Sequence, residues 1–486
     1  MFKKHLILAL LLVMATITAS ADTWKMHSIY VASYIDNAFD TGDKVYYLNN
    51  NCLFEFDKAT TITTALNRQN KLSDNMISQI YYDYENRMLF VAYANSNIDI
   101  INADGQVFNV SCVKDMIPQV HNPSFDYESN DSHYDFVSGY TSKTINDITF
   151  ANGIAYVTIG YGYLTIDEST MEVTYGVELG QKININSVSV IDDMMLIFSN
   201  GYCYYGELGD TDPIHNYDRR AGTYTGYKSF PINDHKVFLL GTSKLYTLDF
   251  STETPTLTTL VSAQATCIQR TPDGFIANFK GQNYYYTIDA EGTTATKASS
   301  TAGFATSDPN GDGTVWINDG NGLHISGSST NYSLSSIGIS VPYWLKYNAH
   351  DGLLYVASSG PNVICVNSIY TNAVNTYDGS NWNVVTPYTT SGSVGYEFVF
   401  NPLDSTTYFR ASWNKGIFKV TDNVRVLTYN STNSPLGTYK GHPAFDNYGN
   451  INYKKMAELI EEQIAAGTDA IISRSEEHTS ELQSLA

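Results

Sequence analysis

The sequence predicts an all-β protein, a β-propeller of about seven blades followed by the start of a second, truncated propeller. Three observations carry this. Strand–turn–strand units recur with a period near 40 residues, the repeat length of propeller blades. Each unit is made of runs of four to six Val, Ile, Tyr, Phe and Thr residues bounded by Gly, Asn or Asp, the pattern of short strands joined by tight turns. The composition (16% charged, 38 Tyr, 34 Gly) favours strands and turns over helices.

Residues 1–21 read as an export signal. Lys3, Lys4 and His5 form a basic start, Leu6 to Met14 an apolar run too short for a bilayer span, and Ala19-Ser20-Ala21 a small-residue cleavage site. The mature chain is expected to begin at Asp22, and no later segment approaches 18 consecutive apolar residues. The repeat follows. Nine units align on the centres of their second strands at Val45, Leu89, Ala155, Met195, Val237, Phe275, Val315, Leu354 and Tyr408. The spacings are 44, 66, 40, 42, 38, 40, 39 and 54 residues. The 66-residue step carries an acidic, aromatic insertion from about Val113 to Thr144. Nine units exceed one ring, so residues 22–327 are assigned to a first propeller and 328–450 to a partial second one. Ile29–Tyr34 is a candidate closing strand for the last blade of the first ring.

Residues 451–486 change character. Asn452 to Ile472 has a helical period, with Met456, Leu459, Ile460 and Ile464 on one face, and resembles the first helix of dihydrodipicolinate synthase without that enzyme's catalytic motifs. Arg474 to Ser484 (RSEEHTSELQS) reads as a translated sequencing adapter. The tail is therefore expected to be a foreign, chimeric segment.

The net charge of -21 excludes a nucleic-acid partner, since a phosphate backbone would be repelled. Residues 22–450 alone carry -19. Five cysteines (Cys52, Cys112, Cys203, Cys267, Cys365) are widely spaced with no C-x-x-C, so isolated thiols are expected rather than a metal or redox site. No G-x-S-x-G, H-E-x-x-H or G-x-x-x-x-G-K-[ST] occurs, and no catalytic, cofactor or metal residue is assigned. Asp308, Asn310, Asp312 and Gly313, with Asp319 at position twelve, match part of a calcium loop, but the same residues form turns before strands. His121 and His133, with Asp126, Asp131 and Asp135, could hold a metal in the insertion, though a solvated loop explains them better. Tyr284-Tyr285-Tyr286, Asn381-Trp382-Asn383 and Trp413-Asn414 could stack sugars, with inter-blade packing as the alternative. Arg219-Arg220 is the one arginine pair available to an anionic glycan.

Asp308 to Trp316 (DPNGDGTVW) and Phe445 to Asn450 (FDNYGN) resemble the core of the two-component regulator propeller repeats of Bacteroidetes. The N-terminal half is more specific. Trp24 with SIYVASYI, then DKVYYLNNNCLFEFD, KLSDNMISQIYYD, AYANSNIDIINADGQVFNV and AYVTIGYGYLTID resemble the N-terminal propeller of the PorZ family. That resemblance implies two propellers, a C-terminal sorting domain, and a non-catalytic place in a cell-surface complex of the type IX secretion system. It also implies other secretion-system surface proteins as partners, lipopolysaccharide or another glycan as ligand, and location in the periplasm or at the outer-membrane surface. The competing readings are the periplasmic sensor of a hybrid two-component kinase and a polysaccharide-active propeller enzyme.

Overall fold

The computed structural model describes residues 35–334 apart from 116–142, 179–184, 200, 211–212, 222–226, 299–301 and 320–321. Beyond these it describes 344–357, 374–379, 381–385, 395–401, 404, 406–412, 416–430 and 432–433. The leader, the candidate closing strand, most of the insertion with its His and Asp residues, Cys365, Trp413 and the tail lie outside the described residues.

The chain divides into two compact units, residues 1–334 and 335–486. Among the described residues, unit one holds seven antiparallel sheets, each formed by strands consecutive in sequence. They are blades 1 (37–66), 2 (77–110), 3 (145–178), 4 (185–221), 5 (228–261), 6 (265–297) and 7 (304–325). Six have four strands and blade 7 has three among the described residues. Successive blades touch along the ring, and the first strand of blade 7, Phe304–Thr306, meets the first strand of blade 1, Asn37–Asp40. The ring is thus closed, and no sheet face is left to bury itself alone. Among its described residues unit two contains two four-stranded sheets of the same order, blades 8 (344–385) and 9 (395–429), packed through Tyr355, Phe398, Tyr408 and Phe418.

Local chemistry explains the strand breaks. Asn50 and Asn51 have φ of 48° and 63°, and Asn152 and Gly153 have 53° and 73°. Both pairs make two-residue hairpin turns whose twist matches the flanking strands. At the end of the third strand an Asp recurs: Asp57, Asp167, Asp249 and Asp289 each accept backbone N–H groups from the following turn. This side-chain cap draws the chain into the fourth strand. Between blades the contact is aromatic. Phe56 meets Trp316 across the blade 1–7 seam at 5.2 Å, Phe90 meets Phe150 across 2–3 at 5.1 Å, and Phe238 meets Phe275 edge-on across 5–6 at 5.0 Å.

Eight of the nine sequence anchors fall inside second strands; Val315 precedes its strand, Trp316–Asn318, by one residue. The insertion opens with a short helix, α1 (Cys112–Asp115), where only a loop is expected from sequence. Cys52, Cys112, Cys203 and Cys267 are free thiols.

Candidate functional site

The first strands of blades 1, 2, 3, 5 and 6 line one cavity, and those of blades 4 and 7 are hydrogen-bonded to their neighbours beside it. In blades 2, 3, 4 and 6 a β-bulge interrupts this strand's pairing with the second, between Ile77 and Gln79, at Ile145–Asp147, between Ile185 and Ser187, and between Ala265 and Cys267. A bulge bends and twists a strand locally, and its repetition at one position curves the inner strands together round the axis. Two of the skipped residues bind the next strand of their own blade: the Ser78 hydroxyl donates to Ala92 O at 3.0 Å and that of Thr266 to Asn278 O at 3.2 Å. Asn146 instead reaches the next blade and donates to Ile185 O at 2.6 Å.

The residues after the bulge form a belt of polar side chains around a central cavity of about 310 Å³. Neighbouring inner strands are tied through it. Asn37 donates to Ile80 O at 3.1 Å, and Thr149 to Val188 O at 2.6 Å. Ser187 donates to Asp147 Oδ2 at 2.7 Å, and Ser229 lies 2.8 Å from Ser187 and 2.6 Å from Ser189. At the closing seam Thr306 donates to Gln269 Oε1 at 2.6 Å and accepts Asp40 N–H at 3.0 Å, while Gln269 donates to Ala38 O.

Lys228, on blade 5, spans the cavity. Its Nζ lies 3.4 Å from Asp147 Oδ1 on blade 3 and 3.4 Å from Tyr81 Oη on blade 2, over the Tyr81 ring at 5.4 Å. Burial pulls the ammonium down, but Tyr81 and Asp147 outweigh it, and Lys228 ends above its ordinary value. Burial pushes the Tyr81 phenol up to about 12 and the Asp147 carboxyl above its usual range. Cys267, also on the wall, is pushed up to about 11 by burial, which makes it a poor nucleophile. Arg270 donates to Pro231 O and Ile232 O and packs on Phe275, so its fork is committed to backbone.

A second hollow, about 420 Å³, lies at the blade 1–7 seam among Asp40, Lys58, Asp308, Asp312, Trp316 and Tyr332. Lys58 binds Asp40 at 2.6 Å and sits 5.6 Å from the Trp316 ring centroid. The 308–312 motif is placed here as a turn. Asp308 accepts Asn310 N–H at 3.0 Å and Asp312 accepts Thr314 N–H at 2.9 Å. Asp319 lies instead 2.9 Å from His324 Nε2. Among the described residues no three His, Cys, Asp or Glu side chains are grouped to share a metal ion. Asp308→Ala is expected to cost about 1 kcal/mol through the lost turn bond, and millimolar calcium to leave the melting temperature unchanged. A calcium-dependent rise in melting temperature that Asp308→Ala abolishes would reinstate the metal loop.

The other described candidates of unit one are not brought to either hollow. Tyr285 is buried, Tyr284 and Tyr286 pack on Phe279, and Lys297 stands over Tyr284 at 3.8 Å. Trp382 packs on Tyr377 at 4.8 Å in unit two. Arg219 covers Tyr202, and Arg220 donates to Pro255 O in blade 5. These contacts are structural. The belt is not apparent in any one strand of the sequence, although aligned first strands (ISQIY, INDIT, INSVS) show its polar positions.

Residues 45–120 match the family described as the type IX secretion system PorZ N-terminal β-propeller domain. The chain is a β-propeller whose residues 45–120 are similar to that domain. Its fold is that of PorZ from Porphyromonas gingivalis, described as an essential bacterial surface component of the type IX secretion system. The TM-score is 0.65 at 20% identity, over 88% of this chain and 56% of that one, so the chain spans little more than half of that PorZ's length. The WD40 propeller of Doa1 gives a TM-score of 0.41 at 10% identity, over 62% of this chain and 92% of that one. No curated protein sequence matches the chain. Among the described residues no helix is long and apolar enough to cross a membrane.

Proposed function

We propose that this chain is a non-catalytic component of the type IX secretion apparatus at the bacterial surface. The PorZ propeller match over residues 45–120 carries this reading. The chemistry of the central cavity supports it. There Asp147 is engaged by Lys228 and Ser187, burial pushes the Tyr81 phenol up to about 12 and the Cys267 thiol up to about 11, and Ser187 and Ser229 bond to one another. The belt holds blades in place. On this reading the chain is exported through the 1–21 signal, residues 22–327 are the first propeller, and 328–450 open a second. Its partners are other secretion-system surface proteins. Its ligand is lipopolysaccharide, recognised at a local site, because a surface with this net negative charge offers no general attraction to an anionic polysaccharide. Deletion of the gene in its host should remove type IX cargo from the cell surface and leave it unattached in the medium or retained in the envelope. Normal cargo display after deletion would refute the assignment.

A further inference from the structure

Blades 2 and 3 meet at a pair of buried acids. Glu168, in the turn after strand Gly162–Asp167, is 2% exposed, and Asp83, at the end of strand Ile77–Asp83, is 7% exposed. Asn86 brings the two acids together, giving its backbone N–H to Asp83 Oδ2 at 3.0 Å and its side-chain amide to Glu168. Glu168 Oε2 accepts Asn86 Nδ2 at 2.9 Å, and Oε1 is buried with no hydrogen-bond partner. Asp83 in turn holds the blade 2 turn, accepting Glu85 N–H and Asn86 N–H, both at 3.0 Å. Two buried carboxylates brought this close repel one another, and a proton on one of them removes the repulsion and can bond the pair.

The charged surroundings favour that proton. The blade 2 turn presents Asp83 and Glu85, both acidic; its Arg87 is turned to Asp43 at 2.9 Å. The neighbouring turn of blade 3 offers the Gly153 carbonyl, which accepts Glu168 N–H at 3.1 Å. On Glu168's own turn Asp167 is engaged with Ser169 and Thr170. Among the described residues no cation is paired with Glu168. Burial first, and then Asp83, push its carboxyl up to about 8.

We propose that one proton shared by Glu168 and Asp83 latches blade 2 to blade 3, and that losing it as the pH rises loosens this seam. Asp83 and Glu85 also line the central cavity, so the latch sits at its edge. Its function is to make the cavity wall sensitive to the acidity of the medium.

The test is amide hydrogen exchange on the full chain between pH 5 and 9, corrected for intrinsic rates and read at Glu85, Asn86 and residues 168–171. In the closed seam Glu168 holds its proton to about pH 8, whereas once open it titrates like an ordinary glutamate. The opening constant should therefore rise up to about tenfold per pH unit, by roughly a thousandfold in all, and level off above pH 8. Glu168→Gln keeps the shape and the bond to Asp83 without a titrating group, so its profile should be flat. A flat wild-type profile overturns the latch with no variant needed. A Glu168→Gln profile as steep as the wild type overturns it as well.

Discussion

Gln269→Ala is expected to lower the stability of the first unit by about 3 kcal/mol. Gln269 is fully buried on the inner strand of blade 6. One amide gives a hydrogen bond to Ala38 O of blade 1 and accepts one from Thr306 of blade 7, so it ties three blades at the point where the ring closes. Truncation leaves a buried carbonyl and a buried hydroxyl each short of a partner, and each orphan costs roughly 1–3 kcal/mol. Some of the cost is offset because Thr306 keeps its bond to Asp40 N–H. Urea unfolding followed by the fluorescence of Trp316, which sits across the blade 1–7 seam from Phe56, should report the loss directly. Gln269→Glu separates the two bonds: a carboxylate can accept from Thr306 but cannot donate to Ala38 O. Its deficit should therefore shrink at low pH, where the acid regains a donor. A Gln269→Ala protein within 0.5 kcal/mol of wild type would show that the seam is closed by apolar packing alone.

The blades were legible because their signals are local. Two-residue turns at Asn50-Asn51 and Asn152-Gly153, and an Asp closing each of several third strands, are visible within a dozen residues and determine where the chain reverses. Val315 falls one residue before its strand because blade 7 uses three-residue strands, with Asp312 holding Thr314 in the turn just before. The calcium-like spacing of Asp308, Asn310 and Asp312 has the same origin, since an Asp that caps a turn and an Asp that binds calcium are the same residue at the same spacing. The belt was not legible for the opposite reason. Tyr81, Asp147 and Lys228 are separated by more than sixty residues each, and in isolation a polar residue on a strand reads as solvent-facing. Only ring closure turns that face inward. The bulges add to the difficulty, because Ser78, Asn146, Asn186 and Thr266 shift the alternation by one and blur the period of two.

Lys228→Met should be the most informative substitution in the cavity, with an expected cost of about 2 to 3 kcal/mol at pH 7.5. Breaking a buried ion pair by removing one partner typically costs about 3–5 kcal/mol, and the figure is reduced here because the Lys228 side chain keeps 35% of its exposure. The loss falls on Asp147, whose side chain is only 6% exposed. In the wild type burial already lifts this carboxyl above 3.8 despite Lys228 and Ser187. Without the ammonium it rises further, so the folded state binds that proton more tightly than the unfolded chain does. Stability contributed by such a group is present at low pH and lost as the pH climbs from about 4 through the raised value. The deficit of Lys228→Met against wild type should therefore be largest near pH 7.5 and shrink towards pH 4. Asp147→Asn in the same background should recover most of it, since the amide keeps the bond from Ser187 and carries no charge to bury. A pH-independent deficit, or a double variant no more stable than Lys228→Met alone, would mean that Lys228 acts through its packing on the Tyr81 ring and not through charge.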